Sequence, residues 1–155
     1  LPTGRRPTIV VGINGSQTSM RALRWAAVEA GALDATIRLV DVVAPEPATR
    51  GHRIRLARKA LRAAKSVAGT SRPSDDIETN LRFGAVTQVL IDESRGAAML
   101  CIGAGVRPAG SPMSELAAAL SAHAYCRVAV IGDSLESRAD QGLVTLTRRR
   151  MSAHD

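Results

Sequence analysis

Three short runs of this chain are apolar almost without interruption: residues 8–13 (Thr-Ile-Val-Val-Gly-Ile), 99–103 (Met-Leu-Cys-Ile-Gly) and 128–131 (Val-Ala-Val-Ile). A strand with one wet face alternates apolar and polar residues. An unbroken β-branched run is the pattern of a strand covered on both faces. Between these runs lie segments of helical spacing. Met20, Leu23, Ala27 and Ala30 recur at three- and four-residue intervals, with Trp25 and Val28 beside them. A helix is therefore expected over residues 18–30, capped from Asn14-Gly15-Ser16 and closed at Gly31. A second helix over 52–68 puts Ile54, Ala57, Leu61, Ala64 and Ala68 on one face and Arg55, Arg58, Arg62 and Lys65 on a neighbouring one. Residues 36–43 and 77–83 read as further strands and 127–131 as the last. Residues 85–94 read as a short helix with Val86, Val89 and Leu90 inward, and 114–124 as an alanine-rich one.

The expected order is β-α-β-α-β-α-β-α-β. Right-handed crossovers make this an α/β fold, a five-stranded parallel sheet with helices on both faces, of the Rossmann-like type. Aromatic residues are only 2% of the chain (Trp25, Phe83 and Tyr125), so the core is expected to consist of Val, Leu, Ile and Ala. Sheets of this kind bind ligands beyond the C-terminal ends of their strands, where the strand order reverses. That directs attention to the loop at 14–16, after the first strand, facing the loop at 103–114, after the fourth.

The second loop is rich in glycine: Gly103, Gly105 and Gly110, with Ser111 and Ser114 following. Glycines let backbone N–H groups approach a phosphate, and a helix N-terminus adds a favourable field. Against this, Pro108 and Pro112 remove donors, and Glu115 puts a negative charge in the first turn of the next helix. His52, His123 and His154 have no partner at metal-ligand spacing, and Asp92 and Glu93 are neighbours pointing different ways. No catalytic residue and no metal ligand is assigned. Cys101 and Cys126 lie in apolar stretches and are expected as buried thiols of a reducing compartment.

The net charge is +7, and residues 50–72 hold eight basic residues and no acidic one. The bland reading is a solvated helix face; the sharper one is attraction of an anionic partner. Nothing interleaves aromatics with the basic residues as single-stranded nucleic acid requires, so no nucleic-acid partner is expected. No run approaches the ~20 residues that span a bilayer, and the opening residues do not resemble a secretory leader, so a cytoplasmic, non-membrane location is expected.

Ordered matches in five places resemble the universal stress protein family over residues 7–133. They are Ile9-Val10-Val11-Gly12-Ile13-Asn14-Gly15-Ser16 with Leu23-Arg24-Trp25-Ala26; Leu39-Val40-Asp41-Val42-Val43; Gly84-Ala85-Val86; Met99-Leu100-Cys101-Ile102-Gly103; and His123-Ala124-Tyr125-Cys126-Arg127-Val128. The resemblance implies an adenine nucleotide alpha hydrolase-like fold and, where the family motif is intact, ATP binding. That motif is a glycine, another three positions on, and a closing Gly-Ser or Gly-Thr. Here Gly103 fits its first position, Val106 replaces its second, and Ser114-Glu115 falls at its close after a shortened loop. Asn14 stands for the family's nucleoside-contacting Asp, and Val42 for its adenine-contacting valine. The resemblance thus implies Asn14, Val42, Gly103, Gly105, Gly110, Ser111 and Ser114 as the nucleotide-site residues.

The expected function is a regulatory module of stress adaptation with weak or altered binding of an adenine nucleotide, ATP in the first place. The alternative is a nucleotide-independent interaction protein. It would act as a homodimer joined through the last strand, residues 128–131, which is expected at the sheet edge. An ATPase ranks last. Residues 134–155 are expected to be a polar tail or the opening of a second copy of the domain.

Overall fold

The computed structural model describes residues 5–104, 112–132 and 143–146 of the chain. Its elements are β1 (Thr8–Gly12), α1 (Gln17–Leu33), β2 (Thr36–Val43), α2 (Arg50–Ala68), β3 (Ile77–Phe83), α3 (Val86–Glu93), β4 (Met99–Gly103), α4 (Pro112–His123), β5 (Arg127–Gly132) and β6 (Leu143–Leu146). The first five strands are parallel, as the alternation of apolar runs and helices requires, and lie in the order β3-β2-β1-β4-β5. β1 and β4 are neighbours, with Ile9 beside Met99 and Val11 beside Cys101. The order reverses between them.

The sheet separates two apolar layers. Ile9, Val11, Ile37 and Leu39 point towards α1 and α2, where they meet Leu23, Ala26, Leu61 and Ala64. Val10, Val40, Leu100 and Val128 point the other way, onto Leu90 of α3 and Leu120 of α4. Small alanines on α1 and α2 let these helices lie close to the β-branched sheet surface. Cys101 and Cys126 are buried, one in each layer.

Three expectations change. First, β5 is not an edge. Its outer side pairs antiparallel with β6, so that Ala129 faces Leu146 and Ile131 faces Val144, and the chain's own apolar run occupies the hydrogen-bonding groups that were to invite a partner. Among the described residues the sheet has six strands, five of them parallel. Second, α1 does not stop at Gly31. It runs on to Leu33 and closes at Asp34, which adopts the left-handed conformation at φ 52° and donates its backbone N–H to Ala30. Arg6 offsets the cost of that conformation by donating to both the carboxylate and the carbonyl oxygen of Asp34. Third, Val86 is not inward. It opens α3 with 39% of its surface exposed, at the C-terminal end of the sheet.

Among the described residues β3 is an edge, and it is polar to match. Its Arg82 and the Arg38 of β2 close on the two oxygens of Glu93, a carboxylate of α3 that is 6% exposed. The pair ties α3 to the sheet beneath it. Glu93 is thereby a fastening of the fold.

Candidate nucleotide crevice

The chain leaves β1 through Ile13, whose N–H donates to the Val40 carbonyl at 2.7 Å. It then turns sharply at Gly15, whose φ of 82° is open to glycine at little cost. Asn14 holds the turn together. Its Oδ1 accepts from the backbone N–H of Ser16 at 3.0 Å and from the Ser16 hydroxyl at 2.6 Å. Ser16 in turn caps α1 by accepting from the Ser19 N–H at 3.1 Å. With its oxygen so engaged, Asn14 presents only its side-chain N–H groups outward, as donors.

Gly103 ends β4 directly against this turn. A β-carbon there would lie 2.2 Å from the Thr18 carbonyl oxygen, so only glycine lets β4 and the start of α1 approach this closely. Between these two strand ends, and reaching under α3, lies a slot of about 280 Å³. Its walls are apolar: Ile13 just beyond β1, Val40 and Val42 of β2, Leu90 of α3, Ile102 of β4 and Leu116 of α4. Asn14, Ser19, Asp41 and Thr87 supply its polar edge. A second, wider cavity of about 760 Å³ adjoins it on the α2 side and shares Asn14, Asp41, Val42 and Val86 with it.

Three of the residues expected from the sequence therefore meet at one place: Asn14, Val42 and Gly103 all line the slot. Gly105, Gly110 and Ser111 lie outside the described residues, as do Val106 and Pro108. Ser114 falls in the first turn of α4, followed by an exposed Glu115. Asp41 was missed. It is 8% exposed, lies between the two cavities and accepts from the Val42 N–H. Burial pushes its carboxyl up to about 6, against the opposing pull of that N–H and of the Arg53 charge. A carboxylate inside an otherwise buried strand was itself the available signal, since such a group remains there only with partners or a task. Among the described residues no group of three His, Cys, Asp or Glu side chains is arranged to hold a metal ion.

A doubly wound parallel sheet with a crevice at its switch point, apolar on its walls and polar at its mouth, defines an α/β module whose class takes its ligands at this place. Residues 6–132 match the model of the universal stress protein family, and the chain belongs to that family. It is 40% identical over 131 residues to universal stress protein Rv3134c of Mycobacterium tuberculosis, an alignment covering 81% of this chain and 48% of that protein. It is 34% identical over 139 residues to Rv2624c of the same organism, covering 86% and 50% respectively. The chain thus spans about half the length of the curated relatives it matches. Among solved structures it resembles a universal stress protein in complex with cAMP, with a TM-score of 0.64 at 24% identity, covering 80% of this chain and 94% of the other. It also resembles the Archaeoglobus fulgidus protein in complex with dAMP, with a TM-score of 0.63 at 20% identity, covering 81% and 97%. These likenesses establish the fold. Among the described residues no helix is long and apolar enough to cross a membrane.

Proposed function

We propose that this chain is an adenine-nucleotide-binding regulatory module of stress adaptation, acting in the cytoplasm, with the purine in the slot between β1, β2 and β4. The observation that carries this reading is the convergence of Asn14, Val42 and Gly103 on one apolar slot at the switch point. Val42 and Leu90 offer aliphatic contact to a flat ring. The donors of Asn14 and the carboxylate of Asp41 suit the hydroxyls of a ribose at the mouth. The cAMP and dAMP complexes of proteins with this fold support the same class of ligand. ATP is the nucleotide the family motif suggests, and its replacement by Val106 and Ser114-Glu115 argues for weakened or altered handling of the phosphates.

The test is direct. Protein purified without added nucleotide is denatured and the supernatant analysed by mass spectrometry, and the purified protein is titrated with ATP, ADP, AMP and cAMP. Released adenine nucleotide or saturable heat is the expected result. An empty supernatant with no heat at millimolar ligand overturns the reading.

A second reading, pairing of two copies through the sheet edge, is favoured by one observation. β5 takes its outer neighbour in antiparallel orientation, which is the orientation two-fold symmetry imposes on identical edge strands. In this reading a partner's strand replaces β6 or adds to it. Light scattering that stays monomeric across concentrations removes it. We also propose that residues 134–155 lead towards a second copy of the domain, in keeping with relatives of about twice the matched length.

A further inference from the structure

If the purine occupies the slot, its anionic end has two ways out. One leads to the loop between β4 and α4, where Pro108 and Pro112 have no N–H and Glu115 stands exposed in the first turn of α4. The other leads across Asp41 and Val42 into the wider cavity, which has room to spare at about 760 Å³.

The wall of that cavity is one face of α2. Thr49 at its N-cap and His52, Arg53, Leu56, Lys59 and Ala63 along the helix, spaced so that each has a neighbour three or four positions away, all line it. Arg53 and Lys59 are exposed, and among the described residues neither is ion-paired. The helix carries no acidic residue in its first turn and none along its length. Asp41 is the sole carboxylate among the described residues lining the cavity, and it sits at the boundary with the slot. It lines both cavities and the Arg53 charge acts on its carboxyl, so an anion in the groove meets Arg53 and Lys59 with one opposing carboxylate at its inner end.

We propose that the phosphate end of the ligand is held by Arg53 and Lys59 of α2, in the wider cavity, and not by the loop after β4. The route rests on the purine reading for its starting point; the anion site itself stands on Arg53 and Lys59 of α2, with Asp41 at its inner end. Part of the basic run at residues 50–72 thereby changes from a solvated face to a binding wall. Arg55, Arg58 and Arg62 do not line the cavity and remain solvated.

The experiment compares the parent chain with the double variant Arg53→Gln/Lys59→Gln and with the control Arg58→Gln/Arg62→Gln, at 0.15 M salt to damp long-range fields, about one Debye length of 8 Å. Adenosine, ADP and inorganic pyrophosphate are titrated separately by calorimetry, and circular dichroism checks folding. All four positions are exposed, so both variants are expected to fold. The proposal expects ADP to bind the parent at least about tenfold more tightly than adenosine, and the first variant to lose that gain while its adenosine affinity stays unchanged. The control keeps the gain. Retention of the gain in Arg53→Gln/Lys59→Gln, or its equal loss in the control, overturns the proposal and leaves the purine slot standing. If neither adenosine nor ADP binds, pyrophosphate decides. Pyrophosphate binding abolished only by the first variant sustains the anion site and removes the purine reading, and absent or unaltered binding removes the anion site as well.

Discussion

Gly103 and Thr18 touch with no space between them: a β-carbon on the glycine would sit 2.2 Å from the threonine's carbonyl oxygen and 2.6 Å from the next backbone nitrogen. The obstacle is backbone, which cannot swing aside as a side chain would. Gly103→Ala is therefore expected to push β4 and the start of α1 apart and to cost about 1–3 kcal/mol, read as a lowered urea midpoint at unchanged slope. An unchanged midpoint would show that the approach is looser than described. The same contact means that lost nucleotide binding in this variant does not by itself indicate a lost phosphate contact.

Asp41 gives stability a pH dependence of known sign. Its proton is held more tightly in the folded chain, at about 6, than at the ordinary value of 3.8. The stabilisation by this proton is complete below about pH 4 and fades as pH rises through about 6. Asp41→Asn keeps an acceptor for the Val42 N–H and removes the buried charge. The variant is expected to match the parent near pH 4 and to exceed it by about 1–2 kcal/mol above pH 7. Urea titrations at both ends of that range check it, and a gap of the same size at each pH would assign the effect to something other than this carboxyl.

Ser16 both caps α1 and anchors Asn14. Ser16→Ala is expected to lower stability by about 1 kcal/mol, and Ser16→Gly by only a few tenths. The midpoints of thermal melts distinguish the two. Equal losses would show that flexibility at the turn, and not the cap, is what matters.

Glu93 is buried between two arginines that are themselves 29% and 39% exposed. Those cations recover water when the carboxylate is neutralised, which limits the loss. Glu93→Gln is expected to cost about 1–2 kcal/mol and to raise the hydrogen exchange of α3 above that of α1. Uniform exchange would indicate that Glu93 does not fasten α3 in particular.

Much of the architecture was legible because strands covered on both faces leave unbroken apolar runs, and the helices between them leave alanine at regular spacing. Ile9, Val11, Met99 and Cys101 announce β1 and β4; that the two lie side by side is one of the orders the alternation allows, and the structure selects it. The end of α1 was not legible. Glycine is the ordinary residue for a left-handed cap, but Arg6, far away in sequence, lets Asp34 take that place instead. β6 lies in the stretch expected to be a polar tail or the opening of a second copy, since four residues between polar flanks do not specify β5 as their partner. In the crevice, Asn14, Val42 and Gly103 followed from the family pattern. Asp41 did not, because strand alternation says which face a residue takes and nothing about a cavity opening beyond the strand's end. The wall of α2 needed the tertiary structure for the same reason: arginines all along a helix look alike until one of their faces is found lining a groove.

Both sulfhydryls of this chain are sealed, Cys101 on one side of the sheet and Cys126 on the other, and desolvation holds the Cys101 proton in place well beyond neutral pH. Peroxides act on thiolates that solvent can reach. Oxidative chemistry thus has no entry to these sulfurs while the sheet stays closed, and oxidation of either one would report that the fold had opened.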